Sequence, residues 1–268
     1  MAEFYDTHAH LDDDVFKPDL TALLARAQAA GITRIISVGT DLNSSRRAVA
    51  LAEQHALVFA AVGWHPDNAP AAPADIRGEL RELARHPKTV AIGECGLDYY
   101  RLPGSRGGSA AEDAACQRQQ AEIFQQQLEV AAATGLNCVV HQRNSFDDTL
   151  AQIQPFAGRV RGVFHCFGES PARLRKILDL GWQVSYTGIV TFKNGQNIRD
   201  AVAATPLDQF MLETDSPYLA PVPFRGKHCE PAYVRETALA IAEVKKCSLD
   251  ELSAATCRTA REFFKKMT

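Results

Sequence analysis

The chain has no apolar run approaching the roughly 20 residues a membrane-spanning helix needs, so no membrane span is expected. Its seven cysteines are an odd number, without a C-x-x-C pair or regular spacing, which argues against a disulfide framework and for free thiols in a reducing compartment. No excess of charge of one sign is present: 29 basic against 32 acidic residues leave a net charge of −3. Binding of a polyanion by bulk attraction is thereby excluded, and any nucleic-acid contact must come from a local basic patch. The first residues, Met1-Ala2-Glu3-Phe4-Tyr5-Asp6, lack a basic segment followed by an apolar one, so no secretory signal is expected and the cytoplasm is the expected location. Neither a G-x-G-x-x-G nor a G-x-x-x-x-G-K-[ST] string occurs, so the usual marks of an open doubly wound nucleotide-binding sheet are missing.

What is present is an ordinary globular composition, 46% hydrophobic and 23% charged. The 268 residues suffice for one (β/α)₈ barrel, which typically needs about 250. Short β-like runs alternate with helix-like stretches along the whole chain. The spacing predicts strands at Phe4–Asp6, Arg34–Val38, Val58–Val62, Val90–Gly93, Asn137–Val140, Gly162–Phe164, Gln183–Tyr186 and Phe210–Glu213. Most starts are separated by about 20 to 32 residues, the length of a strand plus a returning helix. Between them, Leu20, Leu23, Leu24 and Ala27 share a helical face before Gly31, and Phe124, Leu128 and Ala131 do so before Gly135. Ser170-Pro171 reads as an N-cap followed by proline, with Leu174, Ile177 and Leu178 on one face and Gly181 as the stop. The Pro103–Ser109 stretch, rich in Gly and Ser, reads as a flexible insertion. With no linker along the chain, the expected fold is a single TIM barrel over residues 1–268.

The polar groups collect at one kind of position. His8-x-His10 follows strand one; His65, His141 and His165 follow strands three, five and six; Glu94 and Asp98 follow strand four; and Asp215 follows strand eight. In a closed parallel barrel all of these sit on the rim where catalytic groups gather. Each has a bland explanation alone: a hydrogen-bonded histidine, a satisfied carboxylate, a capping Asp before Ser216-Pro217. Together they would cost several desolvation penalties at one mouth, which bound cations offset. His8, His10, Glu94, His141, His165 and Asp215 are too many for one tetrahedral ion with an open position. They suit two divalent ions bridged by Glu94, drawn from Zn, Mn, Mg, Ni or Co.

The strings Asp6-Thr7-His8-Ala9-His10-Leu11, Val62-Gly63-Trp64-His65-Pro66, Gly93-Glu94-Cys95-Gly96-Leu97-Asp98-Tyr99-Tyr100, Gly162-Val163-Phe164-His165-Cys166-Phe167 and Leu212–Pro221 resemble the TatD family of metal-dependent deoxyribonucleases, as do Phe224-Arg225-Gly226-Lys227 and Glu230-Pro231-Ala232. The resemblance spans essentially the whole chain. It implies an amidohydrolase-like TIM barrel whose dinuclear site hydrolyses DNA phosphodiesters, often from the 3′ end. It places His8, His10, Glu94 and Asp215 around one metal, and Glu94, His141 and His165 around the other. It makes His65 a substrate-phosphate contact. The chain departs from the family at Gln142-Arg143-Asn144, where the arginine is kept but an amide replaces the usual acid. It departs again at His228-Cys229, and in the length of the segment from Leu102 to Cys116.

On this reading Asp215 is the general base, Glu94 and His65 complete the catalytic set, and His65, Arg143, Arg225 and Lys227 hold phosphate oxygens. Tyr99, Tyr100, Phe192 and Tyr218 fall in rim loops suited either to stacking on bases or to loop packing. Arg101 and Lys193 read as solvated charges, and His55 and His86 as surface or capping residues. Cys95 and Cys166 read as packing residues beside ligand positions. Glu213 reads as support for an imidazole, and Asp98 as either that or a loop anchor. The expected partner is DNA with single-stranded or free ends, and the expected state is a monomer. Two rival readings are a similar centre acting on another ester, lactone or amide, an aminoacyl ester on tRNA included, and a binding module with structural metals. A structural site would be coordinatively closed, whereas six ligands shared by two ions leave positions for water and substrate.

Overall fold

The computed structural model describes residues 2–267. Eight parallel strands run in sequence order, β1 to β8, each hydrogen-bonded to the next, with helices between them, and form a TIM barrel. The strands are β1 (Phe4–Ala9), β2 (Ile32–Val38), β3 (Val58–Val62), β4 (Thr89–Asp98), β5 (Asn137–Arg143), β6 (Gly162–Phe164), β7 (Gln183–Tyr186) and β8 (Phe210–Leu212). The seam between β8 and β1 is closed by single contacts. Asp215 N–H donates to the His8 carbonyl at 2.9 Å, His10 N–H to the Ser216 carbonyl at 2.8 Å, and Thr7 Oγ1 to the Leu212 carbonyl at 3.1 Å.

Strand alternation explains both the core and the site. Ile36 with Val38, Phe59 with Ala61, Val139, Val163 and Met211 belong to one buried apolar cluster that also takes in Phe263, Phe264 and Met267 at the C-terminal end. Those last aromatic residues follow from helix Leu249–Phe263, whose start is fixed by a capping box between Ser248 and Glu251. Two residues beyond Val139, Val163 and Met211, the period of two brings His141, His165 and Glu213 to the same side, toward the opposite mouth. The apolar filling thus ends where the polar cluster begins.

Three strands run further than their apolar residues suggest. β1 extends to Ala9, β4 to Asp98 and β5 to Arg143, so His8, Glu94, Asp98 and His141 lie inside strands and not in the loops after them. The β4–β5 ladder continues from Cys95↔Val140 to Asp98↔Arg143 because the polar side chains here point into a mouth and leave the backbone pairing intact. Gly96 permits this approach: its φ is +139°, and a Cβ there would overlap the His141 carbonyl oxygen. Gly96→Ala is therefore expected to destabilise the fold by about 1–3 kcal/mol or more, read as a lower denaturant midpoint; an unchanged midpoint would contradict the close β4–β5 approach.

The stretch expected to be a flexible insertion is ordered. Pro103–Arg106 forms a 3₁₀ turn, Gly104 N–H donates to Asp113 Oδ1 at 2.6 Å, and Ser109 caps the 25-residue helix Ala110–Thr134. The segment from Leu102 to Cys116 is thus partly the first turns of that helix. Its Ser109-x-x-Glu112 capping box was the signal for it, obscured by the glycines that precede it. The other helix starts and stops follow the pattern: Leu20–Ala29, with Gly31 at φ +86°, and Pro171–Asp179 capped by Ser170, with Gly181 at φ +73°. Among the described residues no helix is long and apolar enough to cross a membrane.

Candidate metal centre

Glu94 is the hub. Its carboxylate is buried, and its two oxygens face different partners. Oε2 lies 3.4 Å from His8 Nε2 and 3.7 Å from His10 Nε2. Oε1 lies 2.8 Å from His141 Nδ1 and 2.7 Å from His165 Nε2. Asp215 Oδ1 completes the first group at 3.7 Å from His8 Nε2 and 3.4 Å from His10 Nε2. In the second group His141 Nδ1 and His165 Nε2 are 3.2 Å apart.

These spacings can be compared with what an ion requires. Ligand atoms about 2.0–2.1 Å from a tetrahedral zinc are about 3.3–3.4 Å from one another, and the first group spans 3.4 to 3.7 Å. The donor chemistry agrees. His8 is fully buried and neither of its ring nitrogens has a hydrogen-bond partner, a costly state for an imidazole whose Nε2 points at two carboxylates. A cation between them would remove that cost. Groups of possible ligand atoms within 4.8 Å of one another include His8 with His10 and Glu94, and His65 with Glu94 and His141.

The far side of each ring fixes which nitrogen is free. His10 Nδ1 lies 3.0 Å from the Val38 carbonyl, which can only accept, so Nδ1 carries the proton and Nε2 presents a lone pair to the cluster. His141 Nε2 lies 3.0 Å from Asp98 Oδ2, so in the neutral ring that a metal would require the proton stays on Nε2 and Nδ1, on the Glu94 side, is the ligand nitrogen. His65 is the reverse case. Its Nδ1 accepts from Asp67 N–H at 3.0 Å, so the neutral ring carries its proton on Nε2, 3.5 Å from Glu94 Oε1. Three imidazoles of the same cluster thus differ in kind: His10 and His141 offer lone pairs, His65 offers a donor.

Supporting residues hold these rings and carboxylates. Asp98 binds His141 and also accepts from Tyr100 N–H at 2.8 Å, so both of its expected roles are served by one carboxylate. Glu213 accepts from Cys166 N–H and Ser185 Oγ, each at 2.6 Å, and its Oε1 lies 3.6 Å from His165 Nδ1. Asp6, passed over in the sequence, anchors the segment that carries Asp215. It accepts from Thr214 N–H at 2.9 Å, from Thr214 Oγ1 at 2.6 Å and from His8 N–H at 3.2 Å. Its position two residues before His8 was the available signal. Cys95 is buried with Sγ 3.4 Å from the Val139 carbonyl, and Cys166 Sγ lies 3.6 Å from Thr187 Oγ1.

The cluster opens into a cavity of about 1110 Å³ lined by His10, His65, Asp98, Arg143, Asp215 and Tyr218 among others. Arg225 and Lys227 are not in that lining. The Arg225 guanidinium lies 3.8 Å over the Phe192 ring and donates to the Ala220 carbonyl at 3.0 Å. Of the rim aromatics, Tyr99 is tied to Asp148 at 3.0 Å and Phe192 is covered by Arg225, whereas Tyr100 and Tyr218 are 53% and 55% exposed. Arg101 pairs with Asp67 at 3.3 Å, His86 with Glu53 at 3.2 Å, and His55 ends helix Leu42–Gln54.

Without cations the cluster must share protons. Burial alone pulls the His10 ring down, but Asp215 and Glu94 outweigh it and hold it up at about 9. Against the same burial, Glu94 and Glu213 raise His165, and Asp98 and Glu94 raise His141. Burial drives His65 down to about 3, which keeps it neutral, while the surrounding imidazoles overcome burial to hold Glu94 well below the usual carboxylate range. His10 is therefore protonated at neutral pH, the upward shifts favour protonation of His141 and His165 as well, and an ion must displace such protons to bind. Apparent metal affinity is therefore expected to rise by about tenfold per pH unit for each proton displaced, between pH 6 and 9. Calorimetric titration with Zn²⁺ or Mn²⁺ in buffers of different ionisation enthalpy reads this directly; flat affinity without proton release would contradict it. Asp98→Ala should weaken metal affinity by about 10- to 100-fold, the usual effect of losing a carboxylate behind an imidazole ligand; unchanged affinity would leave Asp98 as a loop anchor only.

Fold and site together define a metal-dependent hydrolase on a TIM barrel. The family model for TatD related DNase matches residues 5–265, and the chain belongs to that family. It is 35% identical over 262 residues to the metal-dependent hydrolase YabD of Bacillus subtilis, covering 97% of this chain and 98% of the relative. It is 33% identical over 267 residues to the 3′-5′ ssDNA/RNA exonuclease TatD of Erwinia amylovora, covering 97% and 99%. Among solved structures, the TatD homologue YJJV of Escherichia coli superposes with a TM-score of 0.88 at 27% identity, over 98% of each chain.

Proposed function

We propose that this hydrolase is a two-metal phosphodiesterase that removes nucleotides from the 3′ end of single-stranded DNA. One observation carries the proposal: the Glu94 carboxylate divides its oxygens between two sets of imidazoles, as a ligand bridging two ions does. His8, His10 and Asp215 would hold one ion with Glu94, and His141 and His165 the other. The 33%-identical relative named as a 3′-5′ ssDNA/RNA exonuclease supports the substrate class and the polarity. Divalent ions at such a centre, when bound, lower the pKa of the attacking water and offset charge on the attacking and leaving oxygens.

The chain's own groups do the rest. Asp215 meets His8 and His10 through Oδ1, is held below the ordinary carboxylate range by its imidazole neighbours despite burial, and lines the cavity. It is ionised at neutral pH and is the base that takes the water proton. His65 donates Nε2–H to a non-bridging phosphate oxygen, since its other nitrogen is occupied by Asp67 N–H. Arg143 holds a phosphate at the cavity edge.

The test is turnover by one metal-loaded preparation of 3′- and 5′-labelled single strands beside small carboxylic esters. Release of the 3′ label first, as mononucleotide, is expected. Ester turnover with oligonucleotides left intact would overturn the nuclease reading.

A further inference from the structure

The charge of the cavity bears on which nucleic acids it accepts. Outside the His/Glu/Asp cluster it is lined by Asp12, Asp13, Asp14, Asp41, Asp67 and Glu169 against three arginines, with Lys17 pairing Asp14 and Arg173 pairing Glu169 from outside the lining, so that Asp13 and Asp41 are the carboxylates without a basic partner among the described residues. Two of those arginines are already paired: Arg47 lies 2.9 Å from Asp12, and Arg101 lies 3.3 Å from Asp67. Arg143 is different. Among the described residues it forms no ion pair, and its guanidinium carbon lies over the exposed Tyr100 ring, 3.6 Å from the centroid. A stacked guanidinium keeps its N–H edge free for a phosphate fork, and the ring limits the orientations it must give up on binding. Arg225 and Lys227, the other cations expected to meet phosphate, sit over Phe192 and Phe224 outside the lining.

A strand running along such a mouth would set its successive phosphates against carboxylates. We infer that the enzyme takes the end of a short strand end-on, with one phosphate beyond the scissile bond clamped by Arg143 on Tyr100, and does not track along a polymer. This rests on the nuclease reading above and adds a substrate class to it: oligonucleotides of about three residues, the shortest that carry a phosphate beyond the scissile one. The cavity volume of about 1110 Å³ agrees, since pockets of about 300–1,000 Å³ already enclose ligands of drug size.

The experiment is a length and salt series on the metal-loaded enzyme with oligothymidylates of 3, 6, 12 and 20 residues. Single-strand binding loses affinity with a log–log salt slope of about 0.7 for each phosphate neutralised. For one clamped phosphate, kcat/KM is expected to be level within about threefold across the series, with a slope near 0.7. Arg143→Ala should raise KM more than it lowers kcat and flatten the slope. Arg143→Lys should keep the slope, because the charge remains, but recover only part of the KM. Efficiency climbing more than tenfold from 3 to 20 residues, a slope of two or more, or an unchanged slope in Arg143→Ala would each overturn the inference and leave the nuclease reading standing. Absence of turnover at every length would overturn both.

Discussion

Glu94→Gln should lower kcat/KM by about 10³- to 10⁴-fold and remove most of the bound metal, while far-ultraviolet circular dichroism stays that of a folded barrel. Electrophilic help from a metal is worth several kcal/mol, at about 1.4 kcal/mol for each factor of ten. Glutamine keeps the volume of the side chain but offers one weak oxygen and an N–H₂ group where two sets of imidazoles need an anion. His141 and His165 lie within 2.8 Å of Oε1, and His8 and His10 within 3.7 Å of Oε2, so one substitution disturbs both groups. Retention of two ions and more than a tenth of the wild-type rate would show that Glu94 is not the bridge.

Asp215→Asn should lower kcat by about 10²- to 10⁴-fold, the range of a lost general base, with a smaller loss of metal. The amide oxygen can still face His8 and His10, but no group remains to take the proton. Because neighbouring imidazoles hold the Asp215 carboxylate low, the wild-type rate should be supported down through neutral pH and fall only as the acid side is reached. In the variant that dependence on Asp215 is lost with the activity. The loss should appear in kcat and kcat/KM together, since the interaction exists in the transition state. Wild-type turnover in Asp215→Asn would remove Asp215 from the proton-transfer role.

Much of this was legible in the residues because barrels of this kind read as alternation. The rhythm of short apolar runs and helices predicts the TIM barrel, and eight strands in sequence order form it. His8 within β1 and His10 just beyond its end, two residues apart, face Glu94 together, as the period of two suggests. What the residues could not show was where pairing outlasts apolarity. Hydrophobicity ends near Gly93, yet β4 continues to Asp98 because its backbone ladder with β5 continues under polar side chains.

The direction of a long side chain was equally hidden. Arg225 follows the Asp215 segment closely in sequence but lies against Phe192, whereas Arg143 ends β5 and reaches the cavity. Nor does sequence distinguish one histidine from another. His65 and His141 have the same composition and similar positions after apolar runs, and only the groups behind them, Asp67 N–H and Asp98, make one a donor and the other a lone pair.

Anomalous diffraction from crystals soaked in Mn²⁺ tests the central claim most directly. Two peaks about 3.5–4 Å apart, one on each side of the Glu94 carboxylate, are expected, with His8, His10 and Asp215 around the first and His141 and His165 around the second. A single peak, or ions bound elsewhere with Glu94 bridging nothing, would contradict it.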